Sequence, residues 1–174
     1  MVTFPFVFAK RPLMPLALGD KAPDFEVVSS DGKPLKLADF AGKKNVVLYF
    51  YPRDFTMVCT RETCGFRDMY ETLASQDTEV IGVSFDDDRT HESFRKEHNV
   101  PFPLVADTSH TLAEAYGATA SMFGKLLGRA SRVTYLIDKN GKIAGIFKAE
   151  LSAKTHVDGI REVLARLDQP AKSS

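Results

Sequence analysis

The sequence has no surplus of either charge, almost no cysteine and no long apolar run. Lys+Arg and Asp+Glu each total 23, so the formal net charge is zero. Without a basic excess to neutralise phosphates, general nucleic-acid binding is not expected. Two cysteines are too few for the disulfide framework of a small secreted scaffold. A membrane-spanning helix takes about 20 mostly apolar residues, and no such run occurs, so no membrane partner is expected. Internal repeats, low-complexity tracts and interior linkers are also missing. What remains is an ordinary globular composition, 44% apolar and 26% charged over 174 residues. At about 150 residues per domain, that length predicts one domain, large enough to bury a core without covalent staples.

The first residues, MVTFPFVFAKRPLMPLAL, are apolar but broken by Pro5, Lys10, Arg11, Pro12 and Pro15. A secretory signal places its basic residues first, then an unbroken apolar run of about 7–15. Here the basic pair follows the apolar stretch. Residues 1–16 are therefore read as an arm on or near the domain, 17–168 as the domain, and 169–174 as a frayed tail. The cytoplasm is the expected compartment.

Periodicity sets the fold class. The continuous apolar run Val46 to Tyr51, rich in aromatic and β-branched residues, reads as a strand covered on both faces. A helix is expected from Val58 to Ser75, with Phe66, Met69, Tyr70 and Leu73 forming its inward stripe. Glu79–Phe85 reads as a second strand. Asp86, Asp87 and Asp88 open a helix through Glu97, placing anions at its positive end. A short strand at Leu104-Val105 and a helix near Ser109–Tyr116 follow. Val133–Ile137 and Lys142–Lys148 form a hairpin, and a helix over Thr155–Leu167 closes the chain. Alternating strands and helices with a terminal hairpin imply an α/β fold with a mixed central sheet flanked by helices. Phe25–Val28 is expected to add N-terminal edge strands.

The segment joining the Val46–Tyr51 strand to its helix is where an open α/β sheet places a site. Cys59 falls in the first turn of that helix, where unpaired N–H groups and the positive helix end favour a thiolate. Thr56 can cap the helix through its hydroxyl. By itself Cys59 reads equally well as a small buried apolar residue. Cys64 lies five steps on, about 140° around the helix with a rise of about 7.5 Å. Cys59 aligns with Phe66 and Leu73, and Cys64 with Arg67, Asp68 and Glu71. A polar-side cysteine this close to a helix-start cysteine points to a redox pair. A zinc site would need further ligands near the pair, and none is there.

Pro52-x-x-x-Thr56-x-x-Cys59, after an apolar strand ending in Phe50-Tyr51-Pro52, resembles the active-site signature of the peroxiredoxins. The continuation Cys59-Thr60-x-Glu62-x-Cys64 is similar to their bacterioferritin comigratory protein or peroxiredoxin Q branch. Gly19-Asp20-x-Ala22-Pro23-x-Phe25, Pro103-Leu104-x-x-Asp107 and Arg132-x-Thr134-Tyr135-Leu136-Ile137-Asp138 resemble the family's opening, middle and late arginine strand. The resemblance spans about residues 18–165. It implies a thioredoxin-like fold and a thiol-dependent peroxidase acting on hydrogen peroxide and organic hydroperoxides. Cys59 would be the peroxidatic cysteine and Cys64 the resolving one, forming an intramolecular disulfide reduced by thioredoxin or a similar dithiol. Thr56 would hydrogen-bond the peroxide, Pro52 shield the site from water, and Arg132 hold the thiolate and polarise the peroxide. No metal, haem or nucleotide is implied, because sulfur is the redox centre; a monomer is expected. Met57 and Val58 stand where the family usually has Pro-Gly or a similar small pair, and a valine does not readily take φ > 0.

The other candidates read as structural. His91, His98, His110 and His156 are expected on surface helices or their caps. Asp86 to Asp88 read as a solvated helix start. Gly124–Gly128 lacks the Gly-Lys-Ser/Thr end of a phosphate loop and is expected to border the site before Arg132. Two rivals remain: a general thiol–disulfide oxidoreductase, which usually carries Cys-x-x-Cys, and a redox-regulated chaperone or interaction module.

Overall fold

The computed structural model describes residues 15–119, 130–148 and 153–168. Of the arm expected over 1–16, only Pro15 and Leu16 are described, and Leu16 packs against the core. The Gly124–Gly128 loop and the 169–174 tail lie outside the described residues.

The elements are β1 (Glu26–Val28), β2 (Pro34–Lys36), a 3-10 turn (Leu37–Phe40), β3 (Asn45–Phe50), α1 (Met57–Ser75) and β4 (Thr78–Ser84). They continue with α2 (Asp88–His98), β5 (Leu104–Ala106), α3 (Thr111–Ala115), β6 (Val133–Ile137), β7 (Ile143–Lys148) and α4 (Ala153–Leu167). Five strands form one mixed sheet in the order β5-β4-β3-β6-β7. β4 runs parallel to β3 and β5, while β6 is antiparallel to β3 and β7. This is the thioredoxin-like arrangement. The N-terminal strands do not extend that sheet: β1 and β2 pair with each other as a separate two-stranded sheet. The N–H of Ser30, in their connecting turn, donates to the Leu104 carbonyl of β5 and ties the hairpin to the sheet's edge.

β3 is buried along its whole length because it lies mid-sheet with apolar layers on both sides. Its side chains alternate between faces. Val46, Leu48 and Phe50 pack with Leu112, Tyr116 and Tyr135. Val47, Tyr49 and Tyr51 pack with Cys59, Phe66 and Leu73 of α1, and with Ile160 and Leu164 of α4. The α1 stripe is inward as its spacing requires: Phe66, Met69 and Leu73 are buried. In the antiparallel register, Phe50 at the end of β3 faces Val133 at the start of β6. The residue before β6, Arg132, is thereby brought to the end of β3 from which α1 departs.

Candidate active site

The turn from β3 into α1 is set by its backbone. Phe55 takes φ 60°, the left-handed region, and Thr56 returns to extended backbone as the helix N-cap. The first helical hydrogen bond runs from the Thr60 N–H to the Thr56 carbonyl. The N–H groups of Met57, Val58 and Cys59 therefore precede the helical ladder and point out of the helix end. Val58 lies inside α1, and the positive φ of this turn falls on Phe55 instead. The valine thus meets no backbone conflict. Thr56 does not cap with its side chain, contrary to the sequence expectation; its hydroxyl donates to the Arg53 carbonyl at 3.1 Å.

Cys59 is 1% exposed. Its sulfur accepts a hydrogen bond from Arg132 Nη2 at 3.1 Å, across 73 residues of sequence. Arg132 Nη1 donates to Glu62 Oε2 on the next turn of α1. Glu62 is fully buried. Its other oxygen lies 3.1 Å from Nδ1 of the buried His156 on α4, which also meets Thr134 Oγ1 at 2.7 Å. The contact from Oε1 to His156 is off hydrogen-bond geometry, and Oε1 has no hydrogen-bond partner among the described residues. Burial opposes charge on Arg132, but the Glu62 carboxylate and the Cys59 thiolate outweigh it and hold the guanidinium above its ordinary value. The arrangement can hold a sulfur anion and keep its cationic donor fixed in a site nearly closed to water.

Cys64 is half-buried further along the same intact helix, and both cysteines are free thiols. Its neighbour Thr63 is fully buried, with its hydroxyl 3.1 Å from Tyr49 Oη. Pro52 is half-buried and Thr56 exposed on the turn leading to Cys59. The structure thus brings Cys59 and Arg132 into contact, keeps Pro52 and Thr56 on the adjoining turn, and sets Cys64 apart on the helix.

Two histidines expected at the surface are buried. His156 is enclosed by Thr134 and Glu62, and His91 is 0% exposed with a ring nitrogen 2.6 Å from Asp54 Oδ2. His98 is partly covered by Phe55 and Phe94, and His110 stacks on Phe85. The Asp86–Asp88 run is not simply solvated: Asp86 accepts from the Asp54 N–H and the Ser84 hydroxyl, and Asp87 caps α2 through Thr90. Glu62 entered the sequence reading only as a motif position. A signal for it was present: at three positions after an inward Cys59 and four before Phe66, it must also face inward. A buried carboxylate requires a cation or donors.

Residues 18–146 match the family model described as AhpC/TSA family. A putative peroxiredoxin bcp of Coxiella burnetii is 41% identical over 157 residues, covering 88% of this chain and 100% of that protein. Peroxiredoxin Bcp of Bacillus subtilis is 42% identical over 146 residues, covering 83% and 92%. Among solved structures, a Xanthomonas campestris bacterioferritin comigratory protein, studied for alkyl peroxide reduction, superposes with a TM-score of 0.75. It is 26% identical, with 83% of this chain and 92% of that chain covered.

Proposed function

The chain belongs to the AhpC/TSA family, on its Bcp and peroxiredoxin Q branch, and is a thiol-dependent peroxidase; within that chemistry we propose that Cys59 is the peroxidatic sulfur and Cys64 the resolving one. The carrying observation is the Arg132 Nη2 to Cys59 Sγ hydrogen bond of 3.1 Å at a helix start. The Cys59 thiolate attacks the outer oxygen of a hydroperoxide. An S–O bond forms as the O–O bond breaks, and the departing oxygen leaves as water or an alcohol once protonated. Arg132 directs donors at the sulfur and at the oxygen approaching it. Pro52 limits water, and Thr56 supplies a hydroxyl to the peroxide after turning from Arg53. The Cys64 thiol then attacks the sulfenic sulfur, releasing water and leaving a disulfide. Thioredoxin or a similar dithiol reduces that disulfide and is itself oxidised. The substrates are hydrogen peroxide and organic hydroperoxides, the latter also reduced by the Xanthomonas relative. Residues 17–168 carry the whole reaction as a monomer. We place it in the cytoplasm, where reduced dithiols keep the pair cycling.

The test is peroxide consumption coupled to thioredoxin oxidation, with wild type beside Cys59→Ser. Serine is barely ionised at neutral pH, so the variant is expected to lose turnover. Residual activity above a few per cent of wild type would remove Cys59 from its role. Dithiol oxidation by an added disulfide without peroxide consumption would favour the general oxidoreductase.

A further inference from the structure

Beneath the turn that leads into Cys59 lies a second buried polar cluster that the peroxidase reaction does not use. Asp54, within the Pro52–Thr56 turn, is 4% exposed and His91 of α2 is 0% exposed. Asp54 Oδ1 accepts from Tyr51 Oη at 2.6 Å, and Oδ2 lies 2.6 Å from His91 Nδ1. The Asp54 N–H donates to Asp86 Oδ2 at 2.7 Å. On the far side of the ring, His91 Nε2 meets the Val105 carbonyl at 3.2 Å and Ser84 Oγ at 3.5 Å.

These partners fix the proton count. A carbonyl oxygen only accepts, and the Ser84 hydroxyl already gives its proton to Asp86 Oδ2. Nε2 must therefore carry a hydrogen. An ionised Asp54 also only accepts, so a bare Nδ1 would set two lone pairs 2.6 Å apart in a dry site. A proton must lie there as well. The other charged groups around the ring are Asp86, with Arg53 Nε 3.8 Å from its Oδ1, and Asp87 at the α2 N-cap, which accepts from Thr90. None of them offers His91 a donor, and the Tyr51 hydroxyl, 3.4 Å from Nδ1, gives its proton to Asp54 Oδ1 at 2.6 Å.

The next residue, Phe55, shows what this cluster holds. Its φ of 60° is a left-handed conformation that a bulky side chain adopts only under strain. Such strain persists only where the surroundings fix it. Asp54 is fixed at three points, by Tyr51, His91 and Asp86, immediately before the strained residue.

We propose that Asp54 and an imidazolium His91 form a buried, proton-sharing pair that positions the Pro52–Thr56 turn and so sets the approach to Cys59. The proposal rests on the peroxidase reading for its consequence. The pair itself is measurable without peroxide. Both are positioning residues, acting on the turn and not on the reacting atoms.

The test joins ring-nitrogen NMR of the reduced, histidine-labelled protein to amide exchange and peroxide kinetics. In wild type at neutral pH both His91 nitrogens should give protonated signals. Asp54→Asn offers an amide donor to a neutral His91, and its oxygen still accepts from Tyr51. It should show a bare Nδ1, keep the turn protected, and retain the peroxide rate constant within about threefold. Asp54→Ala should expose the turn to exchange and lower that rate constant about tenfold or more, while residues 66–73 stay protected. One bare nitrogen in wild-type His91 would overturn the proposal, even if Asp54→Ala fails to fold. Unchanged exchange over 53–57 in Asp54→Ala would overturn it too. A wild type with the predicted signals and exchange but no peroxide turnover would instead overturn the peroxidase reading alone.

Discussion

Cys59, Arg132 and Glu62 form a line in which each charge requires its neighbour. The guanidinium spans the Cys59 sulfur and a buried carboxylate with two nitrogens of one rigid fork. Lysine keeps the charge but has a single nitrogen and no fork. Arg132→Lys is therefore expected to lose one charge-assisted hydrogen bond, and stopped-flow measurement of sulfenic acid formation should show a rate constant lower by about 10- to 100-fold. A wild-type rate would mean that charge alone serves the sulfur. At this scale the sequence was legible for the place of Cys59 in the first turn of its helix and of Cys64 further along it, because an apolar strand and an inward stripe mark where that helix begins. It was not legible for the buried histidines, because polar residues on short helices read as solvated. α2 buries only His91 and Phe94, too brief a stripe to mark its inward face. His156 is buried because Glu62 and Thr134 surround it, and both are far from it in sequence.

Helix α1 carries both cysteines and is continuous from Met57 to Ser75. In an intact helix their Cα atoms are about 8–9 Å apart, whereas a disulfide needs less than about 7 Å and converging Cβ vectors. A disulfide between them therefore requires the first turns to unwind. Phe66, Met69 and Leu73 hold the remainder to the sheet, and Gly65 passes close to α4, where an added Cβ would lie 3.3 Å from Val157. Amide exchange over residues 56–65 should accelerate on oxidation while 66–73 stays protected, and Cys64→Ser should remove the difference. Equal protection in both redox states would refute the unwinding. At the turn between β1 and β2, the Ser29 hydroxyl lowers the Asp31 carboxyl. Burial opposes that, and Lys33 and Arg95 add to it, with the net effect a fall from 3.8 to about 2. A depressed carboxyl contributes stability that is present above its ordinary value and lost as pH falls through the lower one. Wild type should lose up to about 1 kcal/mol relative to Asp31→Asn between about pH 4 and pH 2, since solvent screens this partly exposed group. Urea unfolding at the two pH values checks it. The order of strands and helices was legible because periods of 2 and 3.6 survive in the sequence. The pairing of β1 with β2 was not, since a three-residue strand carries no face preference.

The molecule as a whole is a sheet with a separate apolar layer on each side, and Cys59 belongs to one of those layers. That layer also includes Tyr49, whose partner across the β3–β4 register is Gly82. In the sequence Gly82 reads as one more residue of a strand, and nothing local shows that an aromatic ring lies over it. In the fold, a Cβ at Gly82 would lie 2.7 Å from the Tyr49 ring and 2.6 Å from Leu104 Cδ2. Tyr49 has little room to yield: it stacks on Tyr51, packs on Phe66 and meets Thr63 through its hydroxyl. Gly82→Ala should therefore overpack the layer at a cost of about 1–3 kcal/mol. At about 2–4 °C per kcal/mol for a chain of this size, Tm should fall by about 2–12 °C. The displacement should also reach the site, because Thr63 sits between the two cysteines on α1. Amide exchange over 57–65 in the reduced protein should then quicken, with the Arg132 to Cys59 contact otherwise untouched. An unchanged Tm would mean that Tyr49 can shift freely and that the layer beneath Cys59 is not the close-packed support it is taken to be.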